Sequence, residues 1–165
     1  MTTKNDEQDA YWMAHALSLA DKAQALGEVP VGAVLVLNEQ IISEGWNQSI
    51  TLHDPSAHAE MMAIRQAGQI LKNYRMLGAT LYVTLEPCPM CAGLLVHSRI
   101  SRLVYGAADY KTGAAGSVMN LVLNPQLNHQ IDMLGGVLEA ACAEKISNFF
   151  RLRRAQKKAI KLSVD

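Results

Sequence analysis

The order in which apolar runs and helical patterns follow one another constrains this fold most. Two apolar runs, Val31 to Leu37 and Ile41 to Trp46, are separated only by Asn-Glu-Gln, which predicts a β-hairpin turning at Asn38. A helix over Asp9 to Leu26 precedes it, with Met13, Leu17 and Ala20 at helical spacing and Asp6 or Asp9 available as cap. Pro30 closes the segment between the two. After the hairpin, helix and strand alternate: a helix over His58 to Leu71, a buried strand over Thr80 to Leu85, a helix from Pro87 to about His97, and a strand over Arg102 to Tyr105. Gln130 to Met133 is a fifth strand candidate, followed by helices over Val137 to Ala143 and Glu144 to Ala159. Gln48 to Ala57 and Ala107 to Gly116 read as loops, the second long enough to be functional. This order is that of an α/β protein, a sheet of about five strands covered by helices on both faces. Strands separated by helices are expected to run parallel, and the hairpin makes the sheet mixed.

Composition narrows the class. A chain of 165 residues, 50% hydrophobic and with a mean hydropathy of +0.05, suits one globular domain over residues 1–165. No repeat or linker interrupts it. No apolar run approaches the roughly 18–20 residues of a membrane span, and the opening MTTKNDEQDA holds no secretory apolar region. Three cysteines are an odd number and do not form a secreted disulfide framework. The expectation is a cytoplasmic protein without a membrane partner. Fifteen Lys plus Arg balance fifteen Asp plus Glu, which argues against a uniformly basic nucleic-acid binder. The balance hides an asymmetry. From Asn148 to Leu162 the chain reads NFFRLRRAQKKAIKL, with Arg151, Arg153, Arg154, Lys157, Lys158 and Lys161 and no acid. Such a segment, opening on two phenylalanines, can neutralise phosphates and stack bases. An ordinary solvated helix end favours the same cations through the macrodipole.

Two short motifs carry the chemistry: His58-Ala59-Glu60, and Pro87-Cys88-Pro89-Met90-Cys91. Cys88 and Cys91 stand three apart near a predicted helix start, where the dipole and free N–H groups favour thiolates. Two thiolates and an imidazole are three zinc ligands, and an open fourth position marks a catalytic site rather than a structural one. Glu60 is near enough to His58 to exchange protons with a water in that position. Two residues on a regular helix are about 200° apart, so His58 and Glu60 converge only if His58 lies at the cap. Pro55-Ser56 just upstream is compatible with such a start. A lone CxxC serves equally in a structural zinc half-site or a redox pair, and a lone histidine on a helix is usually structural. The joint pattern is far more specific. Cys142, set among alanines, reads as a packed core thiol.

The H-x-E…P-C-x-x-C pattern resembles the known signature of the zinc-dependent nucleoside and nucleobase deaminases, an established motif that is matched here rather than worked out. VPVGAVLV, GWN, HDPSAHAE, TLEPCPMC, HSRI, AADYKTGAAGS and FFRLRR narrow the resemblance to the bacterial tRNA-specific adenosine deaminase family, from about Tyr11 to Lys158. The resemblance implies a three-layer α/β/α sandwich acting as a homodimer, with one Zn²⁺ per subunit on His58, Cys88 and Cys91. It implies a zinc-activated hydroxide with Glu60 as proton shuttle, converting the wobble adenosine of an arginine tRNA (ACG anticodon) to inosine. Carried over residue by residue, Asn47 hydrogen-bonds the flipped base, and Glu28, Val29 and Pro30 form the rim and wall of its pocket. Ala59 offers its backbone N–H to the base, and Leu85 its carbonyl near the leaving amine. Asp109 and Lys111 contact the anticodon stem-loop. Phe149, Arg151, Arg153 and Arg154 belong to the basic C-terminal helix, about 144–161, as part of the RNA-binding surface. A deaminase of free cytosine, guanine or their nucleosides is the alternative, but it has no need of the basic tail. A non-catalytic zinc-stabilised RNA-binding module would have no need of Glu60.

Overall fold

The computed structural model describes residues 2–164. The elements run α1 (Lys4–Ala25), β1 (Gly32–Leu37), β2 (Gln40–Trp46), α2 (Ala59–Leu71), β3 (Thr80–Leu85), α3 (Pro89–Ser98), β4 (Arg102–Ala107), β5 (Asp132–Gly135) and α4 (Glu139–Val164). Helix α1 starts earlier than its apolar periodicity indicates because Thr3 caps it. The Thr3 hydroxyl accepts the Asp6 N–H at 3.1 Å, and the Asp6 carboxylate accepts the Thr3 N–H at 2.9 Å. In the hairpin turn Asn38 and Glu39 both take left-handed backbone, at φ 52° and 61°, which matches the twist of the flanking strands.

Three expectations need correction. The C-terminal segment is one helix, not two, since no Gly or Pro lies between Glu139 and Val164 to break it. Its start is set by left-handed backbone at Gly136 and Leu138. The fifth strand lies two residues later than Gln130–Met133. The third concerns direction: in the order β2-β1-β3-β4-β5, β3 pairs antiparallel with β1 although a helix separates them. The hairpin has already reversed the chain, so β3 runs parallel to β2 but lands beside β1. From there β3, β4 and β5 are parallel.

Side chains alternate between the two faces of the sheet. Val34, Val36, Tyr82 and Val104 meet Met13, Ala16 and Leu19 of α1 and Cys142 of α4. Ala33, Leu35, Leu81, Val83 and Leu103 meet Ala63, Ile64 and Ala67 of α2 and Leu95 and Val96 of α3. This is the expected three-layer α/β/α arrangement. Two glycines let helices ride directly on the sheet. A Cβ at Gly32 would stand 2.1 Å from the Ala16 carbonyl oxygen, and one at Gly45 2.1 Å from that of Ala59.

Asp9 ties α1 to the sheet. Its carboxylate, 3% exposed, accepts both Arg102 amino groups at 2.7 and 2.8 Å and the Tyr82 hydroxyl at 2.8 Å. Burial, with the neighbouring Asp9 charge, drives the Tyr82 hydroxyl above its ordinary range. Removing one partner of a buried pair costs about 3–5 kcal/mol. Arg102 retains 29% side-chain exposure, so Asp9→Ala is expected near the lower end, about 3 kcal/mol, in urea unfolding. Asp9→Leu combined with Arg102→Met should recover only part of that loss, because no charge is then left buried alone but the Tyr82 hydroxyl still loses its acceptor.

Candidate active site

Two helix N-termini converge on one point. His58 is the N-cap of α2 and Cys88 the N-cap of α3, both with extended backbone and neither using its side chain to cap. Their side chains are thereby free to face each other, and Cys91 joins them from the first turn of α3. His58 Nδ1 lies 3.6 Å from Cys88 Sγ and 3.5 Å from Cys91 Sγ. One donor atom from each residue fits within 4.8 Å of the others. Zn–S bonds of about 2.3 Å and Zn–N bonds of about 2.0–2.1 Å in a tetrahedron put S and N roughly 3.6 Å apart. The donor spacing therefore suits zinc, and thiolate and imidazole donors do not suit Mg²⁺ or Ca²⁺. Three protein donors leave a fourth position open.

The cap position of His58 also resolves the helical-phase objection. Glu60 is the second residue of α2 and His58 is outside the helix, so both side chains reach the same side. Glu60 is 4% exposed, and burial pushes its carboxyl up to about 7 despite the opposing influence of its own backbone N–H and of His58. Cys88 moves the other way. Hydrogen bonding with Cys91 outweighs burial and, with His58, holds its thiol down to about 4, while Cys91 is raised by the same bond and by burial. His58 is raised, first by its hydrogen bond with Cys88.

His58, Glu60 and Cys88 line a cavity of about 640 Å³. Val29, Asn47, His58, Glu60, Leu85, Cys88, Asp109 and Lys111 line it, all named from the sequence. Other named residues lie elsewhere. The Ala59 N–H does not face the cavity freely: Asn47 Oδ1 accepts it at 2.8 Å. The orphan N–H groups at a helix start need acceptors, and His58 supplies none from its side chain. Glu28 is buried and spends its carboxylate on the neighbouring loop, accepting from Ile50 N–H, Thr51 N–H and the Thr51 hydroxyl at 3.0, 2.7 and 2.6 Å. Burial raises that carboxyl, but these bonds and the Arg153 charge hold it below the ordinary carboxylate range. Pro30 is buried behind the wall formed by Val29 and Val31.

On α4, Phe149 is 8% exposed and packs edge-on against Phe150, and it is Phe150 that reaches the cavity. Arg153 covers Phe149 at 5.0 Å and donates to the Gly27 carbonyl at 2.9 Å, pinning α4 to the segment after α1. Arg151 donates to Asn148 within the helix at 3.0 Å, and Arg154 is exposed. Glu86, Tyr110, Thr112, Ile146, Ser147 and Phe150 line the cavity without having been singled out from the sequence.

Comparison with known proteins agrees with this geometry. The cytidine and deoxycytidylate deaminase zinc-binding region matches residues 6–107. The tRNA-specific adenosine deaminase of Haemophilus influenzae is 56% identical over 153 residues, 92% of this chain and 88% of that protein. That of Bacillus subtilis is 49% identical over 158 residues, covering 96% and 98%. A solved structure from work on A-to-I editing by tRNA:A34 deaminases at the wobble position superposes with a TM-score of 0.79 at 44% identity, covering 82% of this chain and 98% of that one. A zinc-binding signature met residue for residue at the convergence of two helix caps, with such identity along nearly the whole chain, places this protein among the cytidine and deoxycytidylate deaminases, in the tRNA-specific adenosine deaminase family.

Proposed function

We propose that this chain hydrolyses the wobble adenosine of a tRNA anticodon to inosine, with an arginine tRNA of ACG anticodon as substrate. The observation that carries the reading is the cavity itself. Its volume of about 640 Å³ lies in the range of a small-molecule site, and Glu60, His58, Cys88 and Asn47 line it, with Cys91 beside His58. An adenine must leave its stack to reach such a recess.

His58, Cys88 and Cys91 would hold the metal, which when bound would acidify a water and supply a nucleophile at neutral pH. Asn47 has its oxygen engaged by Ala59 N–H, so its amide N–H groups remain to orient the base by donation. Glu60 manages the protons. It accepts one from the attacking water and delivers it to adenine N1, making C6 electrophilic, then accepts the second from the new C6 hydroxyl and passes it to the departing amino group. A C–O bond forms at C6, the C–N bond breaks, and ammonia leaves. Buried beside the metal ligands, Glu60 performs these transfers without competition from bulk water.

The whole chain acts as one deaminase domain, its α4 extending the recess into an RNA-facing rail. Ile146, Ser147 and Phe150 line the cavity, and Arg154, Lys157 and Lys161 continue the same helical face outward at spacings of three and four. That face suits the phosphates of an anticodon stem-loop. Two copies of the chain form the working homodimer.

The test is nucleoside mass spectrometry on an arginine tRNA transcript with an ACG anticodon. Inosine at the first anticodon position, and at no other adenosine, is the expected result. No conversion by the folded, zinc-loaded protein would overturn the assignment, and turnover of free bases or nucleosides instead would establish the small-molecule alternative.

A further inference from the structure

Glu86 is buried, at 2% exposure, between the end of β3 and the metal-ligating Cys88. Its carboxylate has no cationic partner among the described residues. Instead it is wrapped by a single loop, 108–117. Oε1 accepts the Asp109 N–H at 3.0 Å and also the Ser117 hydroxyl, while Oε2 accepts the Ala115 and Ser117 N–H groups at 3.0 and 3.1 Å. The loop closes so tightly that a Cβ at Gly113 would stand 2.4 Å from the Glu86 carboxyl group and 2.4 Å from the Asp109 carbonyl oxygen. Two further bonds lace the same strands together: Glu86 N–H donates to Ala107 O, and Ala114 N–H to Pro87 O, both at 2.8 Å.

The wrapped loop is one wall of the cavity. Ala108, Asp109, Tyr110, Lys111 and Thr112 line it. Asp109 is itself occupied in shaping the loop, accepting Lys111 N–H, Thr112 N–H and the Thr112 hydroxyl at 3.0, 3.1 and 2.9 Å. Tyr110 is left 81% exposed at the rim. The loop contains no helix or strand of its own. Ala114 and Ala115 are buried in the core, and the one side chain that gathers both ends of the loop, Asp109 and Ser117, is the Glu86 carboxylate, two residues from a metal ligand. Charge-assisted bonds to a buried carboxylate are the strong ones, and such an anchor fixes the wall at a set distance from the reacting centre.

We infer that Glu86 is a positioning residue: it holds loop 108–117 as the substrate-facing wall and so sets the affinity for the RNA around the target base, without taking part in proton transfer or metal binding. This rests on the RNA-deaminase reading above. With its acceptor capacity fully used by the loop, Glu86 has none to offer the substrate, which separates its role from that of Glu60.

The experiment uses the zinc-loaded full-length protein and an anticodon stem-loop RNA. Glu86→Gln replaces one acceptor oxygen by a donor that confronts the loop N–H groups. KM is expected to rise about tenfold or more, as for losing a bond to a charged group, with kcat changed much less and zinc still bound one per chain. Amide exchange at Asp109, Ala115 and Ser117 should accelerate while α2 and α3 stay protected. Ser117→Ala removes a single hydroxyl bond and should raise KM by about two- to fivefold with the same pattern, which decides the matter if the Gln variant does not fold. Unchanged KM and unchanged loop exchange in Ser117→Ala, or a loss confined to kcat in Glu86→Gln, would overturn the inference. Failure of the unmodified protein to convert the stem-loop would instead overturn the functional reading, leaving the exchange result to report on the loop alone.

Discussion

Glu60→Gln is expected to lower turnover by up to about 10⁴-fold while leaving the metal in place. In the proposed mechanism the Glu60 carboxyl group carries the protons, and glutamine can neither accept the water proton nor return it. A positioned acid–base group contributes about 10²–10⁴-fold; Glu60 serves several transfers in one cycle, so the upper end is expected for kcat. KM for the RNA should move little, since the proposed RNA contacts lie on the loop wall and α4. Zinc content should stay at one per chain, because His58, Cys88 and Cys91 supply the donors. Stability should not fall and should rise slightly, as a neutral amide replaces a carboxyl that is 4% exposed. Single-turnover inosine formation, metal analysis and thermal unfolding on one preparation check all of this. Retention of more than about a tenth of the wild-type rate would remove Glu60 from its assigned role, given the size of effect such a group carries.

The sequence made the metal centre legible because its geometry is local. His58 and Cys88 each open a helix, and the requirement that His58 and Glu60 share a side forces His58 to the cap. The order of elements was legible for the same reason, since periodicities and the Asn38 turn are short-range signals. What was not legible depends on long-range closure. Nothing in Ala59 alone says that Asn47, twelve residues earlier, will take its N–H at 2.8 Å. Nor does Glu28 announce that the loop at Ile50 and Thr51 will consume its carboxylate. The antiparallel landing of β3 beside β1 is a decision of sheet order, which periodicity does not encode. One miss was avoidable. Helical phase puts Phe150, not Phe149, on the face of Ile146, Arg154 and Lys157, so the cavity-facing ring could have been chosen by spacing. Glu86 carried no such signal, since a glutamate before Pro-Cys looks the same whether its partners are water or a loop twenty-odd residues away.

The second large effect comes from a residue with no chemistry. Gly45 lies on β2 beneath the first turn of α2, and a Cβ there would stand 2.1 Å from Ala59 O, 2.7 Å from Ala63 N and 3.1 Å from Met62 Cβ. Two of these are helix backbone atoms, which cannot rotate away as a side chain can, so Gly45→Ala must lift α2 by roughly an ångström to restore van der Waals separation. Overpacking of this kind costs about 1–3 kcal/mol. The consequence for activity should be larger than for stability. The lifted turn carries His58 and Glu60, whereas Cys88 and Cys91 belong to α3, which packs elsewhere on that face. Misplacing reacting groups by about 1 Å can cost about 10²-fold. Gly32→Ala supplies the comparison. Its Cβ would meet Ala16 O at the same 2.1 Å, but it pushes on α1, which holds no ligand and no proton carrier. Both variants should unfold at lower urea concentration. Per folded molecule, Gly45→Ala should lose zinc affinity and about two orders of magnitude in kcat, while Gly32→Ala stays within a few-fold of wild type. Equal specific activity in the two would mean that the seat of α2 on the sheet does not position the catalytic cluster.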